Sequence, residues 1–135
     1  MQTSRPSLRT DAEFTWVSGG YPYIGVARAG VDLGAVRIAL HRTPDGWMYS
    51  CGGGAHMRDS RIRPWASGEQ QGLWQGGTVG LLLKQGSLAV YIQGRRIGVL
   101  CTDIAGCVVW AADLNGSNSS VRIRRRPPPD EDGAQ

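Results

Sequence analysis

Short runs of alternating apolar and polar residues dominate the chain. Near its end, Val121 and Ile123 alternate with Arg122 and Arg124, and residues 36–40 show the same pattern. A period of two places neighbouring side chains on opposite faces of a strand and is typical of antiparallel sheets with one face in water. No window of a dozen residues sustains apolar residues at helical spacing without a Gly interruption. The pattern therefore predicts an all-β protein with little or no helix.

Nine short strands are predicted, and turn residues occupy nearly every gap between them. The predicted strands are residues 14–17, 23–27, 36–40, 47–50, 78–83, 87–93, 97–101, 107–112 and 120–124. Isolated hairpins cannot bury their apolar sides, so this many strands predict either two sheets packed face to face or a barrel. Of the two, we predict an antiparallel two-sheet β-sandwich.

The segment from Cys51 to Gly77 has few strand signals and contains GGG, RDSRIRPW and ASGEQQG. We interpret it as a loop that covers an edge or a face of the sandwich, with Trp65 and Trp74 as packing anchors. Trp47 and Trp110 lie within apolar strands and are predicted core residues.

The length of 135 residues suits one domain. Residues 1–12 are polar and contain Pro6, so they are predicted to be a flexible N-terminal segment. Residues 13–126 form the predicted sandwich. Residues 127–135 combine a Pro run with acidic residues and are predicted to be a disordered tail.

The net charge is +4, and every basic residue except Lys84 is Arg. Arg suits bidentate contacts with phosphate or carboxylate, but a codon bias explains scattered Arg equally well. The run Arg122–Arg126 supports an alternative function, nucleic-acid binding, because consecutive Arg residues attract phosphates. Against it, the alternation already places Arg122 and Arg124 on the solvent side of a strand, and an acidic DED follows.

Neither a long apolar run nor an N-terminal apolar block is visible, so we expect no membrane span and no secretory signal. The protein is expected in the cytoplasm, with the nucleus as the alternative. Cys51, Cys101 and Cys107 are an odd number, and they are expected to be reduced.

Catalytic and metal-binding signatures are missing from the sequence. The cysteines form no Cys-x-x-Cys pair, and His41 and His56 do not have the spacing of zinc ligands. The sequence also has no G-x-S-x-G motif whose Ser could use one of these histidines as a base. We expect no enzyme activity, no cofactor and no metal. Five Trp residues keep a third hypothesis open, a carbohydrate-binding sandwich with an aromatic-lined groove.

The stretch GSLAVYIQGRRIGVL, Gly86–Leu100, reads as a β-hairpin with its turn at Gln93 and Gly94. Arg95 and Arg96 follow the turn on successive positions, so their side chains point to opposite faces. Two divergent Arg side chains make a weak phosphate grip, and we interpret them as the end of a hairpin.

Four segments, in order, resemble the SPRY domain family. The hairpin VGLLLKQGSLAVYIQGRRIGVL, Val79–Leu100, is similar to the family's strand, Asn-Gly turn and Gly-Val-Ala-Phe strand, with Gln93 in place of the Asn. The other three are YIGVARAGVDLG at Tyr23–Gly34, GWMY at Gly46–Tyr49 and SSVRIR at Ser119–Arg124. The resemblance implies a bent β-sandwich that recognises a peptide or an exposed loop of a partner protein, in some members as the substrate receptor of a ubiquitin ligase.

The resemblance also implies where a ligand binds, which is at loops on one end of the sandwich. The corresponding positions in this sequence are Asp45, Tyr49, Ser50, Gly52, Leu114, Asn115, Gly116 and Ser117. Tyr49 offers a rigid aromatic surface, and Asn115 offers donors and an acceptor for a peptide backbone. We expect a monomeric adaptor with a protein or peptide partner.

Overall fold

The computed structural model describes residues 9–31, 39–114 and 118–126. Within these ranges the chain forms eleven strands and a single 3-10 turn at Leu40–Arg42, with no α-helix. The strands are β1 Arg9–Ser18, β2 Tyr23–Arg28, β3 Gly46–Ser50, β4 His56–Arg58, β5 Arg61–Arg63, β6 Ser67–Gly68, β7 Thr78–Lys84, β8 Ser87–Ile92, β9 Arg95–Cys101, β10 Val108–Asp113 and β11 Ser120–Arg126. The prediction of an all-β fold is confirmed.

The strands form two antiparallel sheets. Sheet A has six strands in the order β11-β1-β7-β8-β9-β6, and sheet B has five in the order β10-β2-β3-β4-β5. The inner faces of the two sheets pack against each other, as the predicted sandwich requires.

Alternate residues of the strands fill the space between the sheets. Phe14, Leu81 and Val90 enter from sheet A, and Trp47 and Tyr49 enter from sheet B, each at most 1% exposed. The alternation seen in the sequence therefore determines which residues form the core, because every second side chain of a strand points inward. The prediction that Trp47 is a core residue is confirmed.

A smaller apolar cluster lies on the outer face of sheet B. Met48 and Ala111 belong to strands of that sheet, and Leu40 from the 3-10 turn packs against them. The prediction of a strand at residues 36–40 is wrong for Leu40, because this residue begins the 3-10 turn. The Arg42 amide donates to the Ala39 carbonyl, and the Thr43 amide donates to the Leu40 carbonyl. Residues 36–38 lie outside the described residues.

The segment 51–77 is not one continuous loop as predicted. It contributes β4 and β5 to the edge of sheet B, and β6 pairs with β9 at the edge of sheet A. These strands are two or three residues long, so their sequences carry too few alternations to be recognised.

The sandwich also begins earlier than the predicted boundary at residue 13. Strand β1 starts at Arg9, and Asp11 and Ala12 pair with both β7 and β11. Polar composition suggested a flexible segment, but pairing on both sides buries Asp11 to 7% exposure.

Two-residue turns set the register of the hairpins. Gln85–Gly86 joins β7 to β8, and Gln93–Gly94 joins β8 to β9, with positive φ at all four residues. Two successive positive φ angles are characteristic of type I′ turns, which match the twist of antiparallel strands. Arg95 and Arg96 are both exposed directly after the second turn, which is the hairpin end predicted from the sequence.

Candidate functional site

Several connections meet at one end of the sandwich, which we call the loop end. It comprises residues 19–22, 51–55, 69–77 and 93–94, together with Leu114 and residues 118–119 of the β10–β11 connection. Antiparallel pairing brings them together, because β1, β3, β8 and β10 all run toward this end and β2, β4, β7, β9 and β11 run away from it.

Hydrogen bonds fasten the β1–β2 connection to the β10–β11 connection. The Ser18 hydroxyl donates to the Asn118 carbonyl at 3.0 Å, and the Ser119 hydroxyl donates to the Gly20 carbonyl at 2.9 Å. The Trp16 indole donates to the Gly19 carbonyl at 3.1 Å. Each bond satisfies a carbonyl outside the strands, so residues 18–20 and residues 118–119 are fixed relative to each other.

The β3–β4 connection is fixed by groups from the chain that follows β5. The Trp65 indole donates to the Gly54 carbonyl at 2.7 Å, and the Leu73 amide donates to the Cys51 carbonyl at 2.8 Å. Trp65 also packs against the core, so its predicted role as an anchor is confirmed. The loop end is therefore a rigid surface, which is the kind of scaffold that carries binding residues.

Three large apolar side chains are exposed at the loop end. Tyr21 is 39% exposed, Trp74 is 46% exposed and Leu114 is 55% exposed. Gly52 lies directly against the Tyr21 ring, because a Cβ atom added to this glycine would be 2.7 Å from two ring carbons. The glycine therefore allows the ring to lie flat over the β3–β4 turn.

Behind Tyr21, a row of polar rings leads to the outer face of sheet B. The Tyr21 and Tyr23 rings meet edge to face at 5.8 Å, and the Tyr23 ring stacks on His41 at 3.7 Å. The His41 ring is 2.9 Å from Asp113 through its Nδ1, and the same carboxylate accepts the backbone amides of Leu40 and His41. Burial, followed by the hydrogen bond with Tyr21, raises the pKa of Tyr23.

Some of the predicted ligand positions lie at the loop end. Gly52 and Leu114 are exposed there. Ser50 is also there but is only 6% exposed, and its backbone amide is bonded to the Ala55 carbonyl. The predicted positions Asn115, Gly116 and Ser117 lie outside the described residues.

Tyr49 and Asp45 do not occupy the predicted places. Tyr49 has no exposed surface, because it is on the inner face of β3 and its hydroxyl donates to the Gln71 carbonyl at 2.8 Å. Its burial raises the pKa of the phenol well above the usual range. The ring is therefore part of the core and offers no contact surface to a ligand.

Asp45 precedes β3, whereas Gly52 follows it, and five strand residues separate the two ends by about 16 Å. The Asp45 carboxylate instead accepts a hydrogen bond from Arg28 Nε at 3.1 Å. The guanidinium groups of Arg28 and Arg58 lie 5.4 and 4.4 Å from the centre of the Trp47 ring. Asp45 thus belongs to a stacked cluster at the end opposite the loop end.

Sequence reasoning missed Tyr21 as an exposed residue and assigned Trp74 to packing. Tyr21 occurs in GGYP and Trp74 in GLWQGG, so both lie among Gly and Pro residues outside any alternating run. An aromatic residue surrounded by turn formers has no strand to direct it inward, and this is the signal that identifies both.

The Arg run lies on β11, which is an outer strand of sheet A in the part of the chain that the structure describes. Arg122, Arg124 and Arg125 are exposed on β11, and Arg124 is directly opposite Glu13 of β1. Cross-strand pairs of opposite charge stabilise a sheet, so part of this positive charge has a structural role.

Among the described residues, His, Cys, Asp and Glu form no cluster of three that resembles a metal site. In the same part of the chain, no helix has the length and apolar character needed to span a bilayer.

The two sheets, their antiparallel order and the connections at one end define a SPRY-like β-sandwich. Among solved structures, the SPRY domain of human HERC1 is similar to this chain, with a TM-score of 0.67 and 13% sequence identity. The match covers 87% of this chain and 73% of that chain. No family model matches the sequence, and no curated protein matches it. The likeness in structure confirms the predicted SPRY-like fold.

Proposed function

We propose that this protein is an interaction module that binds a short peptide or an exposed loop of a partner protein at the loop end. The observation that carries the proposal is the exposure of Tyr21 and Leu114 at the end of the sandwich where hydrogen bonds fasten residues 18–20 to residues 118–119. A preformed apolar contact surface loses little conformational entropy when a partner binds.

Tyr21 has the properties of an interface residue, because it is 39% exposed and its aromatic ring supplies a flat contact area. Gly52 beneath the ring leaves the backbone of residues 52 and 53 open to a ligand. The SPRY-like fold also supports a binding site at the loop end, since the family resemblance implies that ligands bind to loops at one end of the sandwich.

The proposal is tested by selecting peptides from a random library displayed on phage against the immobilised full chain. A Tyr21→Ser, Leu114→Ser double variant removes the exposed apolar surface of the loop end. An Ile62→Ser, Val109→Ser double variant is the matched control, since these residues are 72% and 49% exposed on β5 and β10.

We expect the selected peptides to bind the loop-end variant at least tenfold more weakly than the wild type, and the control variant equally well. Equal binding to all three proteins, or equal loss in both variants, would contradict recognition at the loop end. Thermal unfolding of each variant verifies that the fold is intact.

A role as the substrate-recognition part of a ubiquitin ligase, in the cytoplasm, is a finer form of this proposal. It requires a partner that joins the module to a ligase, and affinity purification with and without nuclease tests it. Nuclease-sensitive partners that are lost on Arg122→Ser, Arg124→Ser substitution would instead favour nucleic-acid binding, because phosphate contacts depend on these charges.

A further inference from the structure

The outer face of sheet A contains a groove of about 430 Å³ next to the loop end. Strand β1 forms one wall, β8 and its turn form the other, and the connection before β7 closes one end. We call this cavity the sheet-A groove. Its side-chain lining includes Asp11, Glu13, Trp74, Thr78, Tyr91 and Gln93.

The register of the strands explains why the groove is open. Glu13, Gly80 and Tyr91 lie opposite one another on β1, β7 and β8, so the row has a side chain at each end and none in the middle. A Cβ atom at Gly80 would meet Tyr91 at an ordinary 3.6 Å, so neither packing nor backbone conformation demands a glycine here. The missing side chain leaves a slot between strands that are about 9.6 Å apart.

The walls of the slot are complementary to a positively charged group. Glu13 and Asp11 provide carboxylates on one side, and Tyr91 provides an aromatic ring on the other. Trp74 adds an indole that is 46% exposed at the end of the groove. A cation gains from the faces of aromatic rings and from carboxylates together, and no described basic residue lines the groove.

Both carboxylates already interact with other groups of the protein. This is compatible with ligand binding, because an ionised carboxylate has about four acceptor positions and serves more than one donor. Basic groups flank the groove in the same row, since Arg124 of β11 lies directly opposite Glu13 and Arg96 of β9 lies directly opposite Tyr91. Arg96 donates to the Tyr91 hydroxyl at 3.5 Å, and Lys84 and Arg96 line a second cavity of about 240 Å³. None of these basic residues lines the groove itself, where the charged side chains are the carboxylates of Asp11 and Glu13.

We propose that the sheet-A groove binds the side chain of an arginine or lysine in an extended segment of a partner protein. The proposal rests on the proposed function in that the partner is a protein, but the site is separate from the apolar surface of Tyr21 and Leu114. The charged side chains that line the groove are acidic, whereas the chain as a whole has a net charge of +4.

The probes are two blocked pentapeptides, acetyl-Gly-Gly-Arg-Gly-Gly-amide and the same peptide with citrulline at its centre. Citrulline has nearly the shape of arginine but no charge. Binding is followed by NMR through the indole N–H of Trp74, assigned by its loss in Trp74→Leu. We expect the arginine peptide to shift this resonance with an affinity at least tenfold higher than the citrulline peptide.

The variants separate charge from shape. Glu13→Gln keeps the size of the side chain and is expected to lower the affinity for the arginine peptide at least fivefold. Glu69 is exposed and lies outside the groove, so Glu69→Gln is expected to leave this affinity unchanged. Trp74→Phe keeps an aromatic face and retains part of the affinity that Trp74→Leu loses, as read from backbone amide shifts of Gly80 and Tyr91.

Equal binding of both peptides, or no shift of these resonances with either, would overturn the proposal. If glucose, galactose, mannose or N-acetylglucosamine shifts them and the arginine peptide does not, the groove is a carbohydrate site instead. The Tyr21→Ser, Leu114→Ser variant is expected to bind the arginine peptide normally. Failure of the loop-end proposal is therefore distinguishable from failure of this one.

Discussion

The Tyr49 hydroxyl donates a hydrogen bond to the Gln71 carbonyl across 2.8 Å, linking β3 to the long connection that precedes β7. The phenol ring is fully buried, and its edge meets the Trp65 ring at a centroid distance of 6.2 Å. One residue of the core thus holds in place the backbone that shapes the loop end.

Replacing Tyr49 by Phe is expected to lower the free energy of unfolding by about 1 kcal/mol, because the Gln71 carbonyl loses its donor while the ring still fills the core. Urea unfolding measures the change. The matched control is Tyr91→Phe, in which a half-buried residue loses a hydroxyl that receives a long 3.5 Å contact from Arg96, and it is expected to cost less. A larger loss in the control than in Tyr49→Phe would contradict the structural role of this bond.

Asp113 organises the 3-10 turn through three hydrogen bonds to Leu40 and His41. We expect Asp113→Asn to lower the free energy of unfolding by about 1–2 kcal/mol, since an amide replaces one acceptor oxygen by a donor. Hydrogen exchange at the amides of Leu40 and His41 should quicken. Asp45→Asn is the control, because its ion pair with Arg28 is about 40% exposed and such pairs contribute little. Unchanged exchange in Asp113→Asn would exclude this anchoring.

The stability of the protein is expected to fall as the pH decreases through 6.5. Burial lowers the pKa of His56 below its ordinary value, opposed by Asp103 and assisted by Arg63 and Arg58. The unfolded chain therefore binds a proton that the folded protein does not, and stability is present above the unfolded pKa and lost below it. The slope contributed by one such group is at most about 1.4 kcal/mol per pH unit.

Urea unfolding at several pH values, compared between the wild type and His56→Leu, isolates this contribution. The variant is expected to show a flatter dependence between pH 7.5 and 5. An NMR titration of His56 in the folded protein with a midpoint above 6.5 would contradict the prediction.

Two adjacent glycines provide a sharp test of the loop end. A Cβ atom at Gly52 would lie 2.7 Å from the Tyr21 ring, whereas a Cβ atom at Gly53 would meet nothing within 4 Å. We expect Gly52→Ala to displace the Tyr21 ring and to lower the affinity for the selected peptides at least fivefold. The free energy of unfolding should fall by less than about 1 kcal/mol, because the ring is exposed. Gly53→Ala should bind like the wild type. Equal affinity in both variants would show that the position of Tyr21 does not matter.

The three cysteines are expected to differ in reactivity. Burial raises the pKa of the Cys51 and Cys101 thiols to about 12, and both side chains are shielded from solvent, whereas Cys107 is exposed. Since the thiolate is the reactive form, only Cys107 should react rapidly with Ellman's reagent in the folded protein at pH 8. All three should react in guanidinium chloride. Rapid reaction in a Cys107→Ser variant would contradict this assignment.

The alternation of apolar and polar residues determined most of the fold. Eight of the nine predicted strands overlap strands of the structure, because a two-residue period both forms a strand and chooses its buried face. The turn at Gln93 and Gly94 was also readable, since it lies between two such runs. The pattern failed for β4, β5 and β6, where two or three residues carry no period, and for Leu40, which packs on the outer face through a 3-10 turn.

The candidate sites depended far more on tertiary structure. Sequence alone identified Gly52 and Leu114 as loop residues, because turn formers mark where strands end. It did not show that Tyr49 points into the core, since a strand's period leaves open which of its two faces is buried when both are apolar. The sheet-A groove likewise appears only when pairing aligns Glu13, Gly80 and Tyr91 from three strands that are distant in sequence. Local pattern sets the strands, and long-range register decides which side chains meet.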